Sequence, residues 1–127
     1  DVTGFGLLGH GLEMAQGSNV ELHINVSAVD LISEALDLAK IGIIPEGAYR
    51  NRAFAEEHVA GGKVLLAKQD MLYDPQTSGG LLVAVHPLDA EALYEELKKS
   101  VPSAQRIGAV KKYSGGKYIF LYDEGEK

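Results

Sequence analysis

A helix near the start of the chain is predicted to carry three glycines, which restricts what can pack beside it. Apolar residues recur at helical spacing between positions 4 and 16 and predict one buried face. They are Phe5, Leu8, Leu12 and Ala15. Gly6, Gly9 and Gly11 would each cost about 0.5–1 kcal/mol relative to Ala inside this helix. We therefore expect another part of the chain to approach the helix closely, as in tight packing of a helix on a sheet.

The remaining pattern alternates between strands and helices and predicts a single α/β domain. Residues 81–85 are a continuous apolar run, which is typical of a strand buried on both faces. Residues 106–112 and 117–122 flank Ser114-Gly115-Gly116 and are predicted to form a hairpin. Two further strands are expected, at 20–26 and at 63–67.

Three more helices are predicted from their boundary residues. Residues 27–30 resemble a capping box before a helix that runs to about Lys40. Pro87 begins a helix that runs to about Ser100. A polar segment at 48–58 is compatible with a short helix, and residues 123–127 are expected to fray.

Composition excludes several classes of function. Acidic residues outnumber basic ones, 18 to 12, so the clustered cations needed to bind nucleic acid are not expected. No apolar run approaches the roughly 18–20 residues that span a bilayer. The 127 residues include no Cys, which excludes disulfides, thiolate metal sites and a Cys nucleophile within them.

The glycine-rich start admits three interpretations. Residues 4–9 match the dinucleotide fingerprint G-x-G-x-x-G, with Asp30 about twenty residues further on. That fingerprint requires a strand directly before it, and only three residues are available here. Tight packing of helix on sheet is the second interpretation. In the third, Asp1 and Thr3 beside the helix N-terminus hold a hard cation and the phosphates it bridges, although a lone Asp usually just caps a helix.

Residues 74–80, Asp-Pro-Gln-Thr-Ser-Gly-Gly, are the clearest loop signal in the chain. Thr77, Ser78 and the two glycines can present hydroxyl and backbone N–H groups to an oxyanion. Asp74 can cap the loop or reach a metal ion. An ordinary Asp-Pro turn is the alternative.

The other polar residues carry weaker signals. The four histidines are too far apart in sequence to form a helical metal pair, so we expect them at the surface or in packing roles. The residue order suggests no Ser/His/Asp set. Arg50-Asn51-Arg52 is interpreted as a solvated helix face rather than an anion site.

Two segments together resemble one family, the selenophosphate synthetases. They are Asp-Val-Thr-Gly-Phe-Gly-Leu-Leu-Gly-His at 1–10 and Asp-Pro-Gln-Thr-Ser-Gly-Gly-Leu-Leu at 74–82, with Ile44-Pro45 and Arg50-Asn51 between them. The resemblance covers nearly the whole chain. It implies that residues 1–127 are a single C-terminal domain cut from a longer two-domain chain of the aminoimidazole ribonucleotide synthetase superfamily. The fold it implies is a three-layer α/β/α unit with a mixed sheet, partly similar to the ferredoxin-like fold.

The resemblance also implies an activity. Members of that family convert selenide, ATP and water to selenophosphate, AMP and phosphate with Mg²⁺, in the cytoplasm. This domain would supply a metal ligand and one wall of an ATP site, against its own N-terminal domain. The family dimerises mainly through the N-terminal domains, so this piece alone is expected to be mostly monomeric and inactive.

Site residues are implied by position in the two segments. Asp1 takes the role of a metal ligand. Five further positions are expected on the phosphate or selenide side: Thr3, Gly4, Asp74, Thr77 and Ser78. The reactive Cys or selenocysteine and the Lys of the family belong to its N-terminal segment, so no catalytic residue is expected here. The chain departs from the family pattern at Gly11 and at Glu46.

Two alternatives stay open. The chain can belong to another member of the superfamily, such as a thiamine-monophosphate kinase or a hydrogenase-maturation factor. It can also be a binding or scaffold domain without catalysis.

Overall fold

Five α-helices and a four-stranded sheet make up the part of the chain that the computed structural model describes, residues 1–124. The helices are α1 (Gly6–Ser18), α2 (Ser33–Lys40), α3 (Glu46–Ala55), α4 (Leu66–Leu72) and α5 (Pro87–Ser100). The strands are β1 (Val20–Asn25), β2 (Val59–Ala60), β3 (Gly108–Lys112) and β4 (Ile119–Tyr122). Short 3₁₀ turns occupy Val26–Ala28 and Glu56–His58. None of the described helices is long and apolar enough to cross a bilayer.

The sheet is mixed, with strand order β2-β4-β1-β3. Strand β1 pairs antiparallel with β3 and parallel with β4, so that Leu22 lies opposite both Val110 and Ile119. Strand β2 pairs parallel with β4. The α/β class with a mixed sheet is therefore confirmed.

The hairpin predicted for the last two strands is wrong, because β1 lies between β3 and β4. The connection at 113–118 passes the start of β1, where the Glu21 carboxylate accepts a hydrogen bond from Ser114 N at 2.9 Å. Leu22 N then donates to Tyr118 O at 2.8 Å. Gly115 and Gly116 thus lie in a connection that passes the start of β1, and not in a tight turn between paired strands.

The core lies between α1 and the sheet. Leu8, Leu12 and Ala15 of α1 are buried. They belong to one cluster with the inward residues of β1 and β4, which are Leu22, Ile24, Ile119 and Leu121. At Gly11 an added Cβ would already lie 3.4 Å from Leu22 Cδ1. The predicted packing of a glycine-bearing helix on a sheet is confirmed, but Phe5, which was expected on the buried face, is 46% exposed.

The strand predicted at 81–85 is wrong. These residues are outside any strand, and Leu81 and Val83 are 74% and 60% exposed. Both edges of β1 are already occupied by β3 and β4, so no central position is left for this segment. A short apolar run has no periodicity that distinguishes a buried strand from an extended connection.

Two smaller predictions are also corrected. Residues 63–67 form a turn and the start of α4 rather than a strand. The capping box at 27–30 is absent, because the Asn25 side chain accepts from Ser27 N and caps the 3₁₀ turn instead. Helix α2 begins later, at Ser33.

Asp123, near the end of the described residues, is fixed by an ion pair and is not frayed. Its carboxylate pairs with Lys68 Nζ at 2.6 Å, and its side chain is only 4% exposed. The rest of the predicted fraying, at 125–127, lies outside the described residues.

Helix α5 has the bounds predicted for it, Pro87–Ser100. His86 Nδ1 accepts from Leu88 N at 3.2 Å and caps its start. None of its residues, all of which lie in the described part of the chain, is buried. Its apolar side chains Leu88, Leu93 and Leu97 are exposed.

Candidate functional site

The two segments singled out in the sequence lie side by side. Val2 N donates to Gly80 O at 2.9 Å, and Gln76 N donates to Thr3 O at 3.1 Å. A side chain at Gly79 would collide with Val2 O. The structure therefore joins residues 1–4, with Asp1, Thr3 and Gly4, to the 74–80 loop.

The start of α1 holds this arrangement through Gly6. Its φ is +73°, and an added Cβ would lie 2.8 Å from Asp74 O. Only glycine tolerates both the left-handed backbone and this close approach. Gly6 N donates to Thr3 O at 2.9 Å, so the same residue also fixes the first segment.

Asn51 is a site residue that the sequence interpretation missed. It is 6% exposed, and its Nδ2 donates to Gly4 O and to Tyr73 O at 2.8 Å each. The prediction of a solvated face at 50–52 is therefore wrong for Asn51. A signal was available, because Asn51 shares its helix face with Ala48 and Ala55, which are also buried.

The 74–80 loop is also anchored from its N-terminal side. Tyr73 is 1% exposed, and burial raises its pKa to about 12. The Arg52 guanidinium lies 5.1 Å from the centre of the Tyr73 ring. Pro75 packs on α3 at Gly47, where an added Cβ would be 2.9 Å from Pro75 Cγ.

Most of the predicted site residues are open to solvent. Asp1, Thr3, Gly4, Thr77 and Ser78 are exposed. Asp74 is partly buried, and this burial raises the pKa of its carboxyl. The Gln76 amide donates to its Oδ2.

A depression of about 340 Å³ opens beside Asp1. Its lining residues are Asp1, His10, Glu13, Met14 and Leu82. His10 Nε2 lies 2.8 Å from Thr3 Oγ1, and His10 Nδ1 lies 2.8 Å from Glu13 Oε1. His10 thus belongs to the site, whereas its sequence context indicated only a surface or packing role.

Asp1 carries the kind of oxygen ligand that Mg²⁺ uses in proteins. Mg²⁺ is usually bound through one or two carboxylates together with waters and phosphate oxygens. Asp1 supplies an exposed carboxylate, with the Thr3 hydroxyl two residues away. Within residues 1–124 no three His, Asp or Glu side chains form a complete metal cluster.

Comparison with known proteins gives one matching family and a consistent set of relatives. The family "AIR synthase related protein, C-terminal domain" matches residues 1–120. "Selenide, water dikinase 2" of Peptoclostridium acidaminophilum is 49% identical over 84% of this chain and 31% of its own length. "Selenide, water dikinase" of Clostridioides difficile is 46% identical over 94% of this chain and 34% of its own. "Selenide, water dikinase" of Treponema denticola is 45% identical over 80% and 28%. The chain spans about a third of the length of these relatives.

Proposed function

Because this chain belongs to the family of AIR synthase related proteins, as their C-terminal domain, we propose that it is the C-terminal domain of a selenophosphate synthetase. Relatives that bear the name selenide, water dikinase match most of its length at 41–49% identity. One structural observation carries the proposal. Residues 1–4 and 74–80, which lie within the two segments that resemble that family, are hydrogen-bonded to each other, with exposed polar groups on both.

The proposed reaction belongs to the natural polypeptide in which this chain occurs, called the parent polypeptide below. It takes ATP, selenide and water to selenophosphate, AMP and phosphate in the cytoplasm. The chain has no Cys, so the proposal takes the reactive Cys or selenocysteine from an N-terminal domain of the parent. The family resemblance also implies that the reactive Lys and the main dimer contact belong to that domain. This domain provides one wall of the nucleotide site and has little activity alone.

Asp1 is the proposed ligand for Mg²⁺ on the ATP phosphates. When bound, the ion neutralises charge that develops on the transferred phosphoryl group. Gly4 keeps the Asp1 segment in place, because its carbonyl oxygen accepts from the buried Asn51 amide at 2.8 Å. Thr3 lies on the same segment, and its backbone carbonyl accepts from Gln76 N of the loop at 3.1 Å.

The 74–80 loop forms the phosphate or selenide side of the proposed site. Thr77 and Ser78 carry exposed hydroxyls, which can donate to an anion without first losing a buried partner. Asp74 accepts from the Gln76 amide and so supports the start of the loop. Pro75 against Gly47 fixes the direction in which the loop leaves α4.

Phosphorus NMR of ATP, Mg²⁺ and selenide tests the proposal directly. With the parent polypeptide we expect AMP, phosphate and a phosphorus signal split by selenium, and with residues 1–127 alone we expect none of them. A folded parent that forms no selenophosphate contradicts the proposal. Phosphorylation of thiamine monophosphate without selenide would then assign a different kinase, and failure to bind ATP would assign a scaffold domain.

A further inference from the structure

Three side chains form a hydrogen-bonded row from α1 to the segment that holds Asp1. Glu13 Oε1 lies 2.8 Å from His10 Nδ1, and His10 Nε2 lies 2.8 Å from Thr3 Oγ1. We call this row the Glu13–His10–Thr3 relay. His10 and Glu13 line the depression together with Asp1, so the relay borders the proposed cation site.

The chemistry of the three groups indicates which of them donates each hydrogen bond in the relay. An ionised carboxylate only accepts hydrogen bonds, so His10 Nδ1 carries the proton that faces Glu13. In the neutral imidazole the other nitrogen is then an acceptor. With His10 in this neutral tautomer, the Thr3 hydroxyl donates to Nε2 and its oxygen lone pairs stay free for another partner.

The ring of His10 is partly enclosed by its neighbours. Its side chain is 23% exposed, and it contacts the Phe5 ring at a centroid distance of 5.4 Å. Phe5 in turn stacks on Phe54 of α3 at 5.7 Å. A hydroxyl on an exposed segment would otherwise rotate freely among several partners.

We propose that His10 and Glu13 are positioning residues that turn the oxygen of Thr3 toward a hard divalent cation, or toward one of its bound waters, beside Asp1. The inference rests on the proposed function, because that function places the cation at Asp1. A hydroxyl whose proton is committed elsewhere is a better cation ligand than a free one, since only its lone pairs face the site.

Mn²⁺ affinity in the parent polypeptide with ATP, measured by electron paramagnetic resonance, tests the relay without relying on turnover. Thr3→Val and His10→Leu should each weaken Mn²⁺ binding roughly threefold to tenfold, the value of one hydrogen bond. If His10 acts through Thr3, the double variant is no weaker than Thr3→Val alone. Effects that multiply would overturn the relay.

A rescue variant separates positioning from simple packing. His10→Gln places an amide oxygen where it can accept from the Thr3 hydroxyl, so it should regain most of the Mn²⁺ affinity lost in His10→Leu. Thr3→Ser keeps the hydroxyl and should bind Mn²⁺ nearly as the parent does. Gln16→Leu, at an exposed position on the same helix, is the matched control and should change nothing.

The tautomer of the His10 ring gives a second readout. Nitrogen NMR of the ¹⁵N-histidine-labelled parent should show Nδ1 protonated and Nε2 bare, with the signal assigned by its loss in His10→Gln. A proton on Nε2 would overturn the relay. Failure of selenophosphate formation with intact coupling between His10 and Thr3 would instead count against the proposed function alone.

Discussion

The buried amide of Asn51 donates a hydrogen bond to the carbonyl oxygen of Gly4 at 2.8 Å. The same nitrogen donates to Tyr73 O, also at 2.8 Å. One side chain on α3 thus holds the residue before the 74–80 loop and the last residue of the 1–4 segment. The candidate site depends on this third element as much as on the two segments that form its surface.

Replacing Asn51 by Ala should destabilise the chain by about 1–3 kcal/mol, because it leaves two carbonyl groups without their donor. Urea unfolding followed by circular dichroism measures this loss. Arg50→Ala, whose side chain is 72% exposed on the same helix, is the matched control and should stay within about 0.5 kcal/mol. Equal stability of the two variants would contradict the structural role of Asn51.

Gly6→Ala should be among the most damaging single changes in α1. The new methyl group would meet Asp74 O at 2.8 Å with φ at +73°, which adds strain of about 1–3 kcal/mol to the folded state. Gly17→Ala in the same helix has nothing within 4 Å of the added Cβ and should stabilise by up to about 1 kcal/mol. Thermal unfolding of both variants checks the opposite signs.

The sequence predicts the positions of two helices and one strand well. Helices α1 and α5 and strand β1 lie close to their predicted positions, because each has a repeating pattern or a clear boundary residue. The order of the strands was not accessible in this way. The position of β1 between β3 and β4 depends on long-range strand pairing. It also depends on the hydrogen bond from Ser114 N to the Glu21 carboxylate, 93 residues away.

The same division applies to the site. The two segments were identified from their residues, but their contact depends on close approaches that no local pattern contains. The two arginines that flank Asn51 favour a solvated helix face, whereas its spacing from Ala48 and Ala55 indicates the buried face on which it lies. His10 has no second histidine at metal-ligand spacing, so its sequence context gives no sign of its contact with a hydroxyl seven residues earlier.

Exposure of the 81–85 segment predicts tolerance to polar substitution. Val83→Ser should change the free energy of unfolding by no more than about 0.5 kcal/mol, since Val83 is 60% exposed. Leu121→Ala in β4, where the side chain is 5% exposed, should cost about 2–5 kcal/mol. A comparable loss at Val83 would place this segment inside the sheet and contradict the observed fold.

The Glu21 carboxylate should make the free energy of unfolding decrease as the pH falls. Its pKa is below the usual 4.5, mainly because the Ser114 hydroxyl and then His23 donate hydrogen bonds to it. An acid with a lowered folded-state pKa stabilises the fold above its unfolded pKa, and this stability is lost as the pH falls through the folded value. Urea unfolding between about pH 7 and pH 3 should show a steeper decline for the unaltered chain than for Glu21→Gln. Glu95→Gln, at an exposed position on α5, should keep the original slope.

Asp1→Asn should specifically raise the Mg²⁺ requirement of the parent polypeptide. The amide keeps an oxygen in place but removes the charge that attracts a hard cation, so half-maximal ATP consumption should need about tenfold more Mg²⁺, or 1.4 kcal/mol. Asp37→Asn removes the same charge at an exposed position on α2 and should leave the Mg²⁺ dependence unchanged, which separates a direct ligand from a general field effect. If both variants respond to Mg²⁺ as the unaltered parent does, Asp1 is not a ligand.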